Sequence, residues 1–308
     1  FDKCWRSGDQ TLLGKLEKLR KRVPKRRVRM NILRGHKAWN QAGGPTAADL
    51  RKLYRQTEGR TTIATCTRKA AQQVNELAAE VLTDQDLPLV GIQEITDREA
   101  FDALAERLGY DAIVSFGSDG FTRVGFLYDP DVIRVTDIER LFGRDGYAFP
   151  RSPIKAFVGF LGTEGDVLFD FVFVVVHLKA RGDAESRMRR VFAIAELDRW
   201  MRETLEGPEQ DLVVVGDFND AIDDSPATNV YGPIEDAPEL YRFLSEEAVD
   251  EGDYTYPFFE SFIDHVLVTT DTLDEYGASG TTEVLHLERA LPEYFDDLSD
   301  HLPVISTF

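Results

Sequence analysis

Cysteine is scarce in this sequence, and its scarcity limits both disulfide and metal chemistry. The 308 residues include two, Cys4 and Cys66. These two residues can form at most one disulfide bond, and they cannot supply the four sulfur ligands of a thiolate zinc site. The cysteine content therefore excludes a zinc-thiolate fold and leaves the cellular compartment open.

Long apolar runs and positive net charge are also missing. No run of about 18 apolar residues occurs, the length that a membrane-spanning helix needs. Asp and Glu number 55 against 36 Lys and Arg, which gives a net charge of -19. A protein this acidic repels DNA and RNA at long range unless metal ions or a local basic groove intervene. Residues 1–30 are the exception, since they are strongly basic; we interpret them as a solvated extension, with a phosphate-binding arm as the alternative.

The remaining sequence has the patterning of an α/β protein. From residue 61 onward, apolar runs and helical spacing predict a strand at 61–66, a helix at 69–82, a strand at 87–95 and a helix at 97–108. Strands are then predicted at 112–115, 124–128, 132–136, 154–161 and 167–177, followed by a helix at 184–205. Further strands are predicted at 212–215, 262–269, 282–286 and 302–308, with a loop-rich stretch at 221–261 that is partly helical at 234–244. We therefore predict two parts, an extension over residues 1–60 and one domain over residues 61–308.

Polar side chains follow the buried strand in the segment DLVVVGDFND. Asp217, Asn219 and Asp220 come directly after it. A carboxylate and an amide fixed at a strand end can hold a hard cation and a phosphate oxygen together. The same residue types also form ordinary turns, so this segment alone does not decide between a turn and a site.

Four other strand ends carry the same chemistry. Glu94 follows VGIQ, His177 follows VFVVV, Asp264 and His265 lie in FIDHVLV, and Asp300 and His301 precede LPVI. Any one of them is compatible with a capping or core role. Five such segments on one scaffold predict a shared functional site.

In order, the segments TIATCT, GIQEI, VVHLKA, VVGDFND, FIDHVLV and SDHLPV resemble the endonuclease/exonuclease/phosphatase superfamily over residues 61–308. The resemblance implies an α/β (α+β) fold, a four-layer sandwich of two packed mixed β-sheets flanked by helices. It also implies a Mg²⁺-dependent phosphodiester hydrolase, with Mn²⁺ as a substitute ion. We expect a monomeric nuclease that acts on a phosphoester substrate such as DNA.

The resemblance assigns roles to individual residues. Glu94 corresponds to the principal metal ligand and Asp300 to a second metal-side carboxylate. Asp217 and Asn219 correspond to the pair that positions the attacking water and holds the scissile phosphate. These assignments fit phosphodiester hydrolysis, which needs neutralised oxygens and an aligned water.

The same resemblance assigns two histidines. His301 corresponds to the base or phosphate-contacting histidine, and Asp264 to the carboxylate that orients it. His177 corresponds to the histidine that contacts the phosphate and is a candidate proton donor to the leaving oxygen. The acidic residue that supports this histidine in pancreatic-type deoxyribonucleases is missing near Thr122, where Asp119 is the closest acid.

One further position departs from the family pattern. The asparagine usually found at the end of the first strand corresponds either to Thr67 or to Asn31, and the spacing to Glu94 favours Thr67. A threonine lacks the amide, which motivates an alternative class of function, a weakened enzyme that serves as a binding scaffold. Within enzymes, the alternatives are a phosphomonoesterase and a lipid phosphodiesterase. Six basic residues form a candidate phosphate-facing patch, and the alternative for residues 187–190 is a solvated helix face. This basic set comprises Arg123, Lys179, Arg181, Arg187, Arg189 and Arg190.

Overall fold

The computed structural model describes residues 87–115, 122–162, 164–277, 280–291 and 294–308, together with positions 78, 79 and 82. Those three positions are helical, in agreement with the helix predicted at 69–82. The strand predicted at 61–66 lies outside the described residues, and so does the boundary at residue 60, which stays a prediction. The chain divides into two compact units, and the larger one comprises residues 81–292 and 300–308.

The described chain is rich in strands. The strands are β1 (Leu89–Ile95), β2 (Asp111–Val114), β3 (Arg123–Tyr128), β4 (Ile133–Arg140), β5 (Ile154–Leu161), β6 (Val167–His177), β7 (Leu212–Asp217), β8 (Tyr241–Phe243), β9 (Asp264–Thr269), β10 (Thr281–Val284) and β11 (Val304–Thr307). The helices are α1 (Arg98–Leu108), α2 (Ala184–Leu205), α3 (Gly232–Glu235), α4 (Glu246–Asp250), α5 (Leu273–Tyr276) and α6 (Tyr294–Asp297), with a 3₁₀ turn at Leu287–Arg289.

The largest sheet has six strands in the order β4-β5-β6-β7-β9-β8. Strands β6 and β7 are parallel, and the other neighbouring pairs are antiparallel. A parallel pair needs a long crossover connection, which the 22-residue helix α2 supplies. This arrangement brings the carboxyl ends of β6 and β7 side by side, so that His177 is opposite Asp217 in the register.

Strand β6 is buried on both faces from Phe171 to His177, and this part of it is almost entirely apolar. Val172, Val174 and Val176 pack with α2 in one core cluster. The alternating residues, among them Phe173 and Val175, pack in a second cluster with residues of β3 such as Phe126. The six-stranded sheet therefore lies between a helix on one face and the smaller sheet on the other.

The smaller sheet is antiparallel in the described residues, in the order β1-β3-β2. The two sheets are in close contact, since a Cβ atom added at Gly91 of β1 would lie 2.8 Å from a methyl group of Val215 in β7. Helix α1 begins at the capping residue Asp97, ends at Gly109 with φ 75°, and contacts β2. The predicted fold class, a two-sheet α/β sandwich with flanking helices, is confirmed.

Several element boundaries differ from the sequence prediction. Strand β4 continues to Arg140, and β10 ends at Val284, so that His286 lies beyond it. The segment predicted as partly helical at 234–244 begins as helix α3 but ends in the edge strand β8. Within the described residues, no helix has the length and apolar character that a membrane span would require.

Candidate active site

Asp217, the last residue of β7, lies at the centre of the candidate site. Its side chain is nearly fully buried. The preceding Gly216 has φ 133°, and a Cβ atom there would lie 2.2 Å from the carbonyl oxygen of Val176. Glycine is therefore required at this position, because only a residue without a side chain lets β7 approach β6 so closely. That approach sets Asp217 beside His177.

Asp217 is held by two neighbouring side chains. Its Oδ2 atom lies 3.2 Å from Nε2 of the buried His177 and accepts a hydrogen bond of 2.7 Å from Nδ2 of Asn219. Its Oδ1 atom accepts the backbone N–H of Asn219 at 2.8 Å. Burial alone would raise the pKa of Asp217, but the hydrogen bond and charge of His177 outweigh it and lower the pKa. The structure thus brings His177, Asp217 and Asn219 together as predicted.

A histidine–carboxylate pair stands next to this group. Nδ1 of His301 and Oδ2 of Asp264 are 2.7 Å apart. Burial lowers the pKa of His301, but the hydrogen bond and the charges of Asp264, Asp217 and Asp300 outweigh it and raise the pKa to about 9. Ligand atoms of Asp217, Asp264 and His301 all lie within 4.8 Å of one another. Five of the predicted site residues therefore form one cluster.

The two residues predicted to bind the metal ion are exposed and lie outside the compact group. Glu94 is exposed near the end of β1, with φ 58°, and its charge acts together with that of Asp217 on Arg151. Asp300 is exposed, and its charge acts on the adjacent His301. Neither belongs to the compact group of Asp217, Asp264 and His301. Thr67 and Asn31, the two candidates for the first-strand position, lie outside the described residues.

One ring nitrogen of His177 lacks a hydrogen-bonding partner, in line with the acidic residue that the sequence lacks near Thr122. Its Nδ1 atom is buried and has no hydrogen-bonding partner in the described part of the chain. Thr122 does not contact it and instead accepts a hydrogen bond of 3.1 Å from Nε of Arg151. Asp119, the other residue considered for this position, lies outside the described residues.

Arg151 is a site residue that the sequence reasoning missed. Its Nη1 atom donates to the carbonyl oxygen of Leu178 at 2.9 Å, and Nδ2 of Asn219 approaches the same oxygen at 3.4 Å. Burial lowers the pKa of Arg151, and the charges of Glu94 and Asp217 counter the effect. A signal existed, because the predicted β5–β6 hairpin sets the start of β5 beside the end of β6.

Arg190 was also misplaced by both interpretations of the basic set. It is neither phosphate-facing nor solvated, but buried in a 2.7 Å ion pair with Asp220. Its Nη1 atom donates to the carbonyl oxygens of Lys179 at 2.7 Å and Arg181 at 2.8 Å. Arg190 lies on the buried stripe of α2, three and four residues before Ala193 and Ile194, and that spacing is the signal that could have found it.

Asp220 also connects this ion pair to strand β9. Its carbonyl oxygen accepts a hydrogen bond of 2.8 Å from the hydroxyl of Tyr231 and lies 3.0 Å from Nε2 of His265 in β9. The other ring nitrogen of His265 lies 3.0 Å from the hydroxyl oxygen of Ser245. His265 is therefore a buried structural residue, although it neighbours Asp264 in sequence.

An aromatic rim borders the histidine side of the site. The ring of Tyr256 lies 4.9 Å from that of His301 between centroids. The same turn carries Phe258 and Phe259, whose exposures are 60% and 78%. Exposed aromatic surface beside a catalytic cluster is suited to packing against an apolar or aromatic part of a substrate.

Comparisons with known proteins agree with this arrangement. The family model described as "Endonuclease/Exonuclease/phosphatase family" matches residues 38–301. Among curated proteins, none matches the sequence significantly.

Solved structures of the same fold are numerous and distant in sequence. A mannosyl-6-phosphatase of Bacteroides thetaiotaomicron has a TM-score of 0.53 at 19% identity and covers 77% of this chain and 92% of its own. The human Nocturnin catalytic domain with bound sulfate anion has a TM-score of 0.53 at 15% identity, over 80% of this chain and 90% of its own. TDP2 from C. elegans has a TM-score of 0.52 at 13% identity, over 78% of this chain and 70% of its own.

At these identities the solved structures establish the fold, while the family model establishes membership of the family. The chain belongs to the endonuclease/exonuclease/phosphatase family, whose members hydrolyse phosphoesters and generally depend on a divalent metal ion.

Proposed function

We propose that this protein is a divalent-metal-dependent phosphodiesterase, and that a nucleic acid strand is its substrate. The observation that carries the proposal is the convergence of four side chains, those of Asn219, Arg151, His177 and His301, on the carboxylate of Asp217. A buried carboxylate, an amide, an arginine and two histidines supply the acceptors, donors and positive charge that an in-line attack of water on phosphorus requires.

The donor set fits a hard divalent cation. Glu94 and Asp300 offer exposed carboxylates whose charges act on Arg151 and His301. Mg²⁺ needs one or two carboxylates because it keeps several waters. The compact group of Asp217, Asp264 and His301 fits less well, since Nδ1 of His301 and Oδ2 of Asp264 are already bonded to each other. A bound Mg²⁺ or Mn²⁺ would neutralise charge on the phosphate oxygens.

The remaining residues act on water and phosphate. Asp264 holds the ring of His301 in one orientation, which suits it to exchange a proton with the attacking water or to donate to a phosphate oxygen. Asn219 and Arg151 meet at the carbonyl oxygen of Leu178 and present an amide and a guanidinium to the phosphate. His177 fixes Asp217 through Nε2, and its unpartnered Nδ1 gives it no carboxylate to support a general-acid role.

A substrate screen with a metal control tests the proposal. Purified protein would be assayed with Mg²⁺, Mn²⁺ or EDTA on single-stranded DNA, RNA, sphingomyelin, phosphoinositides and a sugar monophosphate. We expect metal-dependent cleavage of the nucleic acids, abolished in Glu94→Gln and retained in Asp223→Asn, which removes an exposed carboxylate outside the cluster. Metal-dependent turnover of the monoester or lipid alone would favour the alternative substrates. Cleavage that persists in EDTA would overturn the metal requirement.

A further inference from the structure

A basic loop lies directly beside the candidate site. Residues 178–181 (LKAR) follow His177, and hydrogen bonds from side chains hold their backbone. The carbonyl oxygen of Leu178 meets Arg151 and Asn219, at 2.9 and 3.4 Å. The next carbonyls, those of Lys179 and Arg181, accept hydrogen bonds from the buried Arg190. The remaining carbonyl, that of Ala180, accepts a hydrogen bond of 2.9 Å from Nζ of Lys179. These hydrogen bonds hold the loop next to the residues proposed to bind phosphate.

The side chains of this loop belong to a cluster of cations. Lys179 is half-buried, and its pKa is lowered by burial and then by the charges of Arg181, Arg189 and Arg151. Arg189 is anchored over the ring of Tyr147 at 5.1 Å and donates to the carbonyl oxygens of residues 147 and 146 at 2.6 and 3.0 Å. The hydrogen bonds give the same proximity: Arg151 bonds to the residue before Lys179, and Arg190, the neighbour of Arg189, bonds to the carbonyl oxygens of Lys179 and Arg181. Four positive groups are therefore held near one another.

Asp183 is the carboxylate that acts on Lys179, whereas those of Glu94 and Asp217 act on Arg151. The carboxylate of Asp183 is engaged at the start of α2, where it accepts hydrogen bonds from the N–H and hydroxyl groups of Ser186 at 3.0 and 2.8 Å. Like charges held together cost free energy, and a bound anion relieves that cost. In a chain with a net charge of -19, such a cluster beside the site indicates an anion-binding surface.

The cluster extends beyond the group that would hold the scissile phosphate. Arg151 is shared, because it also faces Glu94 and Asp217. Lys179 and Arg181 precede the exposed start of α2, and Arg181 is itself exposed. An ammonium and a guanidinium together match the oxygens of a phosphate group.

We propose that Lys179 and Arg181, backed by Arg189, bind a second phosphate of the substrate, adjacent to the scissile phosphodiester. The preferred substrates are then oligonucleotides that carry a neighbouring phosphate. This inference rests on the proposed phosphodiesterase function and adds a subsite to it.

Thymidine dinucleotides isolate the contribution of the second phosphate. TpT, pTpT and TpTp share one scissile diester, and the last two add a phosphate on one side or the other. We expect kcat/KM for pTpT or TpTp to exceed that for TpT by about tenfold or more, the size of one charge-assisted hydrogen bond. Equal values for the three dinucleotides would overturn the subsite.

The double variant Lys179→Ala/Arg181→Ala locates the effect. Its ratio of kcat/KM between the phosphorylated and plain dinucleotides should fall to about one, and the ratio corrects for any general loss of activity. The matched control Arg199→Gln removes a charge on the remote part of α2 and should keep the wild-type ratio. A preference that survives in the double variant would assign it to other residues and overturn the proposal.

A binding measurement separates the subsite from catalysis. In EDTA, calorimetric titration should show tighter binding of thymidine 3′,5′-bisphosphate than of thymidine 5′-monophosphate, with the difference lost in the double variant. If no dinucleotide is cleaved but this difference is found, the phosphodiesterase proposal fails and the subsite stands. If both ligands bind alike to the wild-type protein, the subsite fails regardless of activity.

Discussion

Two residues at strand ends adopt left-handed backbone conformations, and both belong to the candidate site. Glu94 has φ 58° and Asn219 has φ 55°. Such conformations cost about 1–2 kcal/mol for most residues, and asparagine tolerates them better than other non-glycine residues. The bend at Asn219 lets both its backbone N–H and its side-chain amide donate to Asp217.

Substitutions at Asn219 can separate conformation from chemistry. Asn219→Gly accepts the left-handed backbone but removes the amide that bonds to Asp217. We expect a loss of stability limited to that hydrogen bond and a fall in kcat of about 100-fold, the scale for one lost phosphate-side donor. Asn219→Ala loses the amide and strains the backbone, and should also lower the free energy of unfolding by about 1–2 kcal/mol. Urea unfolding and steady-state kinetics measure the two effects. Equal activity of Asn219→Gly and the wild type would contradict the assigned role.

His265 makes the fold sensitive to acid. Complete burial is the largest influence on this ring and lowers its pKa from 6.5 to about 4. The unfolded chain therefore binds a proton between pH 6.5 and 4 that the folded protein does not, so stability falls as the pH falls through that window. Over the whole window the loss is about 3 kcal/mol.

The variant His265→Gln tests that account. Glutamine has no charge at any pH, so the pH-dependent loss of unfolding free energy between pH 6.5 and 4 should shrink by about 3 kcal/mol, even if the variant is less stable at pH 7. Denaturant titrations at several pH values measure it. An unchanged pH slope in the variant would show that other groups cause the acid sensitivity.

At the scale of elements, the Arg190–Asp220 ion pair joins α2 to three neighbouring strands. Arg190 holds the loop after β6, while Asp220 follows β7 and its carbonyl oxygen contacts His265 of β9. These strands carry His177, Asp217 and Asp264. The pair therefore helps to set the relative positions of the candidate site residues as well as the packing of the helix.

A double-mutant cycle measures this connection. Arg190→Met leaves Asp220 buried without its partner, which typically lowers the free energy of unfolding by about 3–5 kcal/mol. Arg190→Met/Asp220→Asn should be less destabilised than the sum of the single variants, because the uncompensated charge is removed. Arg199→Met, which breaks exposed pairs, should be nearly neutral. Additive effects of the two substitutions would show that the pair is not coupled.

The sequence predicts elements whose patterning is unambiguous. Strands β5 and β6 and helix α2 have the predicted bounds, because β6 is apolar on both faces and α2 is long. His177, Asp217 and Asn219 were predicted to share a site because several strand ends carry the same chemistry. The structure adds the reason for their proximity, since β6 and β7 are parallel and His177 is opposite Asp217 in the register. Edge strand β8 was not predicted, since its three residues include the exposed Arg242 and periodicity needs longer segments.

The residues that escaped prediction act through long-range contacts. Arg151 reaches a carbonyl group 27 residues away, and Arg190 pairs with a carboxylate 30 residues away. Their residue type is that of ordinary surface arginines, so only the packed fold reveals that one faces the site and the other is buried. The apolar spacing of α2 held partial information on Arg190, but not on its partner.

At the scale of the whole molecule, the acidic charge restricts how substrate binds. A net charge of -19 repels a long polyanion, and in the described part of the chain the positive charge proposed to face substrate belongs to Arg151, Lys179, Arg181 and Arg189. We therefore expect contacts with about two phosphates, and hence a slope of log(kcat/KM) against log[salt] of roughly -1.4 for a single strand. Kinetics on oligonucleotides of two to twelve residues measure both the slope and the length dependence. A slope that steepens with length would indicate an extended binding groove and contradict this view.

The most direct test of the account is the effect of Asp217→Asn on metal-dependent phosphodiester hydrolysis. The substitution keeps the shape of the side chain but removes the charge on which His177, Asn219 and the neighbouring His301 converge. The kcat for bis(4-nitrophenyl) phosphate at saturating Mg²⁺ or Mn²⁺ would be measured for both proteins. The account predicts a fall of at least about 100-fold with the fold intact. Equal kcat values for the variant and the wild type would contradict it.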